Sequence, residues 1–322
     1  MTTPLVSLVI PALNERDNVE AMLARLEEIC AANAGHDFEL VFVDDGSVDG
    51  TADRLEELAP PDLQFAIVRL ARNFGSHYAI SAGFAEARGD CAIVLGADLQ
   101  EPLDLVGRFL DEWHAGHEVV WGVRESRQRV SLPTKIFSHG FSRLFHRFAD
   151  IKSYPEEGPS GVLCDRAVID VLVQLPERNR NTYGLIAWLG FRQTRVNYTQ
   201  LERNAGKTKW TRGRLLKLAI DSFIEFSTAP LKAMTWAGLV VAGTGFIYAI
   251  ALVIRAIFGA RGPEGYTTLV VVVLILGGVQ LMTLGALGAY LWRAVEETRG
   301  RPLYVLREVR QSKAREAGRS SE

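Results

Sequence analysis

The stretch Val94-Leu95-Gly96-Ala97-Asp98-Leu99-Gln100-Glu101 decides the fold. It is an apolar run ending in a carboxylate and a carboxamide, the pattern of a buried strand that delivers oxygen ligands at its tip. Cys91 to Leu95 forms the apolar part, and three similar runs precede it. Leu5 to Ile10 is closed by Pro11, Phe38 to Val43 ends in Asp44-Asp45-Gly46-Ser47, and Phe65 to Leu70 is the third. Between the strands, Val19, Met22, Leu23, Leu26 and Ile29 recur at helical spacing. A second helix opens at Asp49-Gly50-Thr51 and runs through Leu55 and Leu58, and a third covers Tyr78 to Ala87. This alternation predicts an α/β fold, with a mostly parallel sheet and helices on both faces. Such sheets bind ligands at the carboxyl ends of their strands. The segments Pro11 to Glu15, Asp44 to Ser47 and Asp98 to Glu101 all fall there, so one site collects them.

The chain has 322 residues, enough for two structural units. Its formal charge of -2 lacks the basic excess of a nucleic-acid binder, so no nucleic-acid partner is expected. Cys30, Cys91 and Cys164 show no CxxC or metal-type spacing and read as small apolar fillers in a reducing compartment. The amino terminus has no basic region and no long apolar stretch, unlike a signal peptide.

Two later segments change the class of the protein. Ala233 to Ile254 and Tyr266 to Trp292 carry no charged residue, and each exceeds the ~20 residues needed to cross the hydrocarbon core. The expected organisation is an α/β domain over 1–211, an amphipathic juxtamembrane helix over 212–230 and a transmembrane helix over 231–258. A short external loop over 259–265, a second transmembrane helix over 266–292 and a basic tail over 293–322 complete it. A C-terminal two-helix transmembrane hairpin returns to the side it left. The basic tail therefore places itself and the α/β domain in the cytoplasm, outweighing Arg255 and Arg261 in the loop. In the middle of the chain, Val119 to Gly122 reads as a strand followed by Arg124 and Arg127. Lys135 to Phe148 mixes aromatic and basic residues, which fits an interfacial helix or a helix packed on the sheet. Leu201 to Trp210 reads as a basic loop holding Arg203, Lys207 and Lys209.

Carboxylates at strand ends bind cations, bond to a ribose or base, or cap helices. Asp17 and Asp49 read as caps. Asp44 and Asp45 repel each other unless something occupies the site, and base and ribose contacts suit them. Asp98 with Gln100 offers hard oxygen ligands that fit Mg²⁺ or Mn²⁺ on a diphosphate, where the ion offsets charge on a leaving group. There is no Walker A loop and no GxGxxG after the first strand, which removes the main support for kinase, NTPase and dinucleotide readings. The histidines show no HExxH spacing, and His77 is the one near a strand end.

Several motifs together form a recognisable set: "SLVIPALNE", "VFVDDGSVDGT", "LARNFG", "ADLQEP", "GLIAWLGF", "GKTKW" and "RPLYV", followed or flanked by the two apolar segments. On these the chain resembles the family-two glycosyltransferases of GT-A (Rossmann-like) fold, specifically the polyprenyl-phosphate glycosyltransferases related to dolichyl-phosphate mannose synthase. The resemblance implies inverting transfer of a sugar from a nucleotide-sugar donor to a polyprenyl phosphate, normally undecaprenyl phosphate, at the bacterial inner membrane. It implies that Pro11, Ala12, Asn14, Glu15, Asp44, Asp45 and Ser47 line the nucleotide pocket, and that Asp98 and Gln100 hold Mg²⁺ or Mn²⁺ and the diphosphate. Arg124, Arg127, Arg203 and Lys209 would meet the donor and acceptor phosphates, and relatives suggest a homotetramer. Two departures stand out: relatives usually carry Asp where this chain has Gly96, and many carry an acid where Ser160 stands. They motivate an alternative, a non-catalytic relative that binds nucleotide or lipid phosphate. A processive synthase ranks last, because two helices are too few for a channel and no QxxRW-type motif is present.

Overall fold

In this computed structural model the described residues are 3–60, 63–98, 100–125, 154–155, 159–177, 180–201 and 265–312, with Val240, Thr244, Ile247, Ile250 and Ile254. The chain divides into two compact units, Met1–Ser222 with Pro302–Glu322, and Phe223–Arg301.

In the first unit the described strands are β1 (Leu5–Ala12), β2 (Asp37–Asp44), β3 (Gln64–Leu70), β4 (Cys91–Val94), β5 (Val119–Arg124), β6 (Pro159–Asp165), β7 (Gln193–Tyr198) and β8 (Leu306–Gln311). They form one sheet in the order β7-β5-β6-β4-β1-β2-β3-β8. β1 pairs in parallel with β2 and β4, β2 with β3, and β5 with β7, whereas β6 and β8 run antiparallel to their neighbours. The sheet is mixed and mostly parallel, as the alternating pattern predicts. The helices are α1 (Val19–Ala32), α2 (Thr51–Leu58), α3 (Ser76–Glu86), α4 (Asp104–His114), α5 (Arg166–Gln174) and α6 (Thr182–Trp188).

Because side chains alternate along a strand, β1 feeds two cores. Val6, Leu8 and Ile10 pack with Met22, Leu26, Ile29, Leu55, Phe109 and Leu110 from α1, α2 and α4. Against the other face lies α3, which contacts β1 and β2 and packs on α5 and α6. Ser7 and Glu39 interrupt these apolar strands while fully buried, and they satisfy one another. Ser7 Oγ donates to Glu39 Oε1 at 2.6 Å, and the same oxygens accept Gly89 N and Arg88 N. Cys91 and Cys164 are buried, their thiols pushed upward by burial, and act as packing groups.

The stretch expected as a basic tail is in part structural. Helix α7 (Gly265–Thr298) runs past the expected end of the second span, and Leu306–Gln311 then returns as β8 on the β3 edge. Arg310 pairs with Glu56 of α2 and Glu308, and Arg69 of β3 pairs with Asp53, Glu56 and Glu308. Charged side chains are at home on an edge strand, which is why this segment reads as a tail in sequence.

In the second unit, no helix counted over the described residues is long and apolar enough to cross a membrane. The expectation of two spans is therefore not met by the described helices. The expected first span lies almost wholly outside the described residues. What is described exposes apolar side chains: Val240, Ile247, Ile250 and Ile254, then Leu269, Val273, Leu284, Leu287, Leu291 and Trp292 of α7.

Candidate active site

The site is built at the carboxyl ends of β1, β2 and β4. Parallel registry sets Ala12 beside Asp44 and Val9 beside Val94, so the loops leaving these strands share one end of the sheet. The β1 and β2 loops are stitched together. Asn14, with a left-handed φ of 51°, donates its N–H to Ser47 Oγ at 2.8 Å and accepts Val48 N on Oδ1 at 2.9 Å. Glu15 N donates to Thr51 Oγ1, and Glu15 Oε2 accepts Asn18 Nδ2. Asp45 N closes the seam on Ala12 O at 2.9 Å. Asn14 is thus a loop brace. Asp49 does meet the amino end of α2, accepting Thr51 N and Thr51 Oγ1 while bonding Arg16 N.

Asp44 and Asp45 are both buried. Asp44 Oδ1 accepts Ser47 N, while Asp45 accepts Phe74 N on Oδ1 at 2.7 Å and Gly75 N on Oδ2 at 2.9 Å. Burial pushes the Asp45 carboxyl above its usual range, and these two N–H groups oppose that rise. Gly46, at φ 71°, allows the close approach of the β3 loop. A Cβ there would stand 2.4 Å from the Arg72 carbonyl carbon. The adjacent acids are therefore held apart by backbone donors from two loops. Asp45→Asn removes one anionic acceptor and is expected to cost about 1–2 kcal/mol, read as a lowered thermal midpoint with unchanged secondary structure.

At the tip of β4, Asp98, Gln100 and Glu101 are half-buried. Glu101 ends the Asp98 to Glu101 segment, where the sequence singles out no role for it, and has a strongly perturbed carboxyl. Burial pushes its carboxyl up to about 7, and the charge of Asp98 adds to the rise; its own N–H, Arg124 and Gly96 N–H pull the other way. It lines a small cavity with Ile10, Met22, Leu26, Leu95 and Val106, which accounts for the desolvation. Arg124, at the end of β5, lowers the Tyr198 pKa through a side-chain hydrogen bond, although burial raises it overall. Tyr198 Oη and Ser160 Oγ are 2.5 Å apart. Gln100 is anchored to the segment after β7, its Oε1 accepting Gln200 Nε2 at 2.6 Å and its carbonyl accepting Leu201 N.

Asp98, Gln100 and Arg124 are thus gathered with Glu101, Tyr198 and Ser160, and the Pro11–Ser47 residues form the neighbouring braced loops. Arg127, Arg203 and Lys209 lie outside the described residues. Asp165 is structural, accepting Ala167 N as the α5 cap and Trp113 Nε1. Among the described residues no three His, Cys, Asp or Glu side chains converge as a metal cage. A nucleotide-bound Mg²⁺ needs no such cage, since it keeps phosphate oxygens and waters and takes one or two carboxylates. Asp98 and Gln100, both oxygen donors at a strand tip, fit that demand.

The mixed α/β sheet thus carries acids and an arginine at its strand tips. Residues 7–172 match glycosyl transferase family 2. The chain is 38% identical over 304 residues to the uncharacterized glycosyltransferase sll0501 of Synechocystis sp., covering 94% of this chain and 95% of the relative. It is 32% identical over 302 residues to the bactoprenol glucosyl transferase of Shigella phage SfX, covering 94% and 98%. Among solved structures it overlaps the mannosyltransferase PcManGT from Pyrobaculum calidifontis in complex with GDP-Man and Mn²⁺, at TM-score 0.49 and 19% identity, covering 94% and 89%. The chain belongs to glycosyl transferase family 2 and is a glycosyltransferase.

Proposed function

We propose that this protein transfers a sugar, with inversion, from a nucleoside-diphosphate sugar to a membrane polyprenyl phosphate, undecaprenyl phosphate in bacteria. The observation that carries the acceptor is the extent of similarity. The relatives named bactoprenol glucosyl transferase match this chain over 94% of its length, the helical unit included.

The apolar surface of the second unit supports a lipid setting. The large apolar side chains of this unit named above are exposed, and in the full sequence Ala233 to Ile254 and Tyr266 to Trp292 are free of charge. The chain leaves the α/β unit after Ser222 and rejoins it at Pro302, where β8 completes the sheet. Passage through a membrane in between must comprise an even number of crossings, which a two-helix hairpin provides.

In the chemical step, an ionised acceptor phosphate oxygen attacks the anomeric carbon opposite the departing nucleoside diphosphate. A bond from that carbon to the acceptor oxygen forms as the bond to the diphosphate oxygen breaks. The attacking oxygen carries no proton at neutral pH, so no strong base is required, and positioning with charge neutralisation supplies the rate. Asp98 and Gln100 would hold Mg²⁺ or Mn²⁺, which when bound offsets charge on the leaving diphosphate. Arg124, with Arg127, Arg203 and Lys209, would meet phosphate oxygens. The braced Pro11, Ala12, Asn14, Glu15, Asp44, Asp45 and Ser47 loops would seat the nucleoside.

The test uses the full chain in detergent with undecaprenyl phosphate, each cation and a panel of labelled nucleotide-sugars. Label extracted into lipid from one donor, with release of the nucleoside diphosphate, is the expected result. Nucleotide binding without lipid labelling from any donor would instead favour the non-catalytic reading.

A further inference from the structure

At one point along β5 neither register partner has a side chain: Gly122 faces Gly161 of β6. Immediately beyond it the pairing slips. Val123 faces Pro159, so Ser160 is an extra residue on β6. A bulge of this kind bends its strand and re-aims a side chain, and here it aims the Ser160 hydroxyl across β5 toward β7. A Cβ on Gly122 would stand 3.0 Å from Phe109 Cζ and 3.5 Å from Tyr198 Cε1. The Tyr198 ring of β7 thus lies against the bare backbone of Gly122 and reaches Ser160 on the far side of β5. Tyr198 is also the parallel-register partner of Arg124. Arg124 stands two residues beyond Gly122, on the same face of the strand.

The hydrogen bonds run in one direction. Ser160 Oγ donates to the Gly122 carbonyl at 3.3 Å and lies 2.5 Å from Tyr198 Oη. A serine hydroxyl has one proton, so Tyr198 donates in the second contact and Ser160 accepts. The Tyr198 oxygen keeps its lone pairs for a donor. The Arg124 guanidinium, which can only donate, bonds to it. Tyr198 is buried, and its carbonyl accepts Glu125 N at 3.0 Å, so its oxygen is a fixed acceptor. The same guanidinium interacts with the Glu101 carboxylate. A free arginine loses rotamer freedom each time it closes on a phosphate. One already held by a fixed acceptor does not, and preorganised charge is what stabilises a departing diphosphate.

We propose that Tyr198 and Ser160 are positioning residues: the bulge-aimed hydroxyl fixes the buried phenol, and the phenol holds the Arg124 guanidinium in the orientation in which it meets phosphate. Both act through Arg124. The inference rests on the transferase reading, in which Arg124 meets phosphate oxygens, and deepens it.

The experiment is a double-mutant cycle on the full chain in detergent, read as lipid labelling with excess enzyme so that slow variants are measurable. Tyr198→Phe keeps the ring and removes the oxygen. It is expected to lower kcat about 10-fold, the effect of one lost hydrogen bond to a charged group. In an Arg124→Ala background the same change is expected to add less than about 2-fold, because the group it positions is gone. Ser160→Ala leaves the buried ring in place and serves if Tyr198→Phe does not fold. It is expected to lower kcat by less, again only while Arg124 is present, and Ser160→Thr, which keeps the hydroxyl, is expected to restore the rate. A merely structural role for Tyr198 would lower the thermal midpoint and cost the same in both backgrounds. Wild-type kcat in Arg124→Ala or in both Tyr198→Phe and Ser160→Ala, or equal losses with and without Arg124, overturns the inference and leaves the transferase reading intact. A wild-type protein that labels lipid from no donor overturns both.

Discussion

Asp98→Ala is expected to lower sugar transfer to the polyprenyl phosphate by at least about 10²-fold, the scale seen when one preorganised electrostatic contact to developing charge is lost. The leaving nucleoside diphosphate gains negative charge as its bond to the sugar breaks, and Asp98 stands at the strand tip where that charge would be met. Loss of this carboxylate affects donor binding and the chemical step together, so both kcat and kcat/KM should fall. Asp98→Asn separates charge from shape. It retains an oxygen at the position and is expected to be nearly as damaged, because the amide cannot neutralise a cation. Lipid labelling by each variant, with Mn²⁺ saturating, measures the effect. Labelling at wild-type rates by Asp98→Ala would sink the placement of the diphosphate at this tip.

How much of this was legible in the sequence depends on the kind of contact. β1 to β4 were readable because strands buried on both faces are continuous apolar runs, and Ser7 and Glu39 did not hide them. The two edges were harder. β7 buries only Val196 and Tyr198 of its six residues, and β8 exposes most of its charged side chains, so neither stands out from a loop or a tail. At the site, residue types were legible and partners were not. Asp44 and Asp45 announce a strand-end acid pair, but nothing local says that Asp45 grips the N–H groups of Phe74 and Gly75, some thirty positions on. Glu101 looks like an acid at the start of α4. Its meaning arises from Gly96, Arg124 and Tyr198, which only the folded chain assembles. Gly96 itself reads as a missing acid, whereas a Cβ at that position would stand only 2.8 Å from Asp98 Oδ1. The same limit applies to Ser160, which reads as another missing acid and is bonded to Tyr198 instead.

A pH dependence of stability is expected from His77, which lies on α3 just beyond the Asp45-bound loop. Its ring stands edge-on to Tyr183, with centroids 5.6 Å apart at 83°, and its Nδ1 is shielded from water with no hydrogen-bond partner. Burial lowers its pKa to about 4, against 6.5 when free. Between those two values the unfolded chain binds a proton at this ring that the native protein does not, so the contribution of His77 to stability rises with pH across the window and is lost as pH falls from 6.5 toward 4, whereas the raised Glu101 carboxyl acts with the opposite sign. At about 1.4 kcal/mol per pH unit, the loss approaches roughly 3 kcal/mol, less to the extent that the ring retains contact with water. His77→Phe keeps the edge-on contact and removes the proton site. Thermal unfolding of both proteins in one detergent from pH 4 to pH 8 should show the wild-type midpoint dropping relative to that of His77→Phe as pH falls through this window. Because α3 carries His77 and begins immediately after Gly75, the acid-induced loosening should also weaken nucleoside diphosphate binding below pH 6.5 in wild type more than in His77→Phe. Parallel midpoint curves for the two proteins would show that some other group governs acid stability and that this imidazole titrates freely.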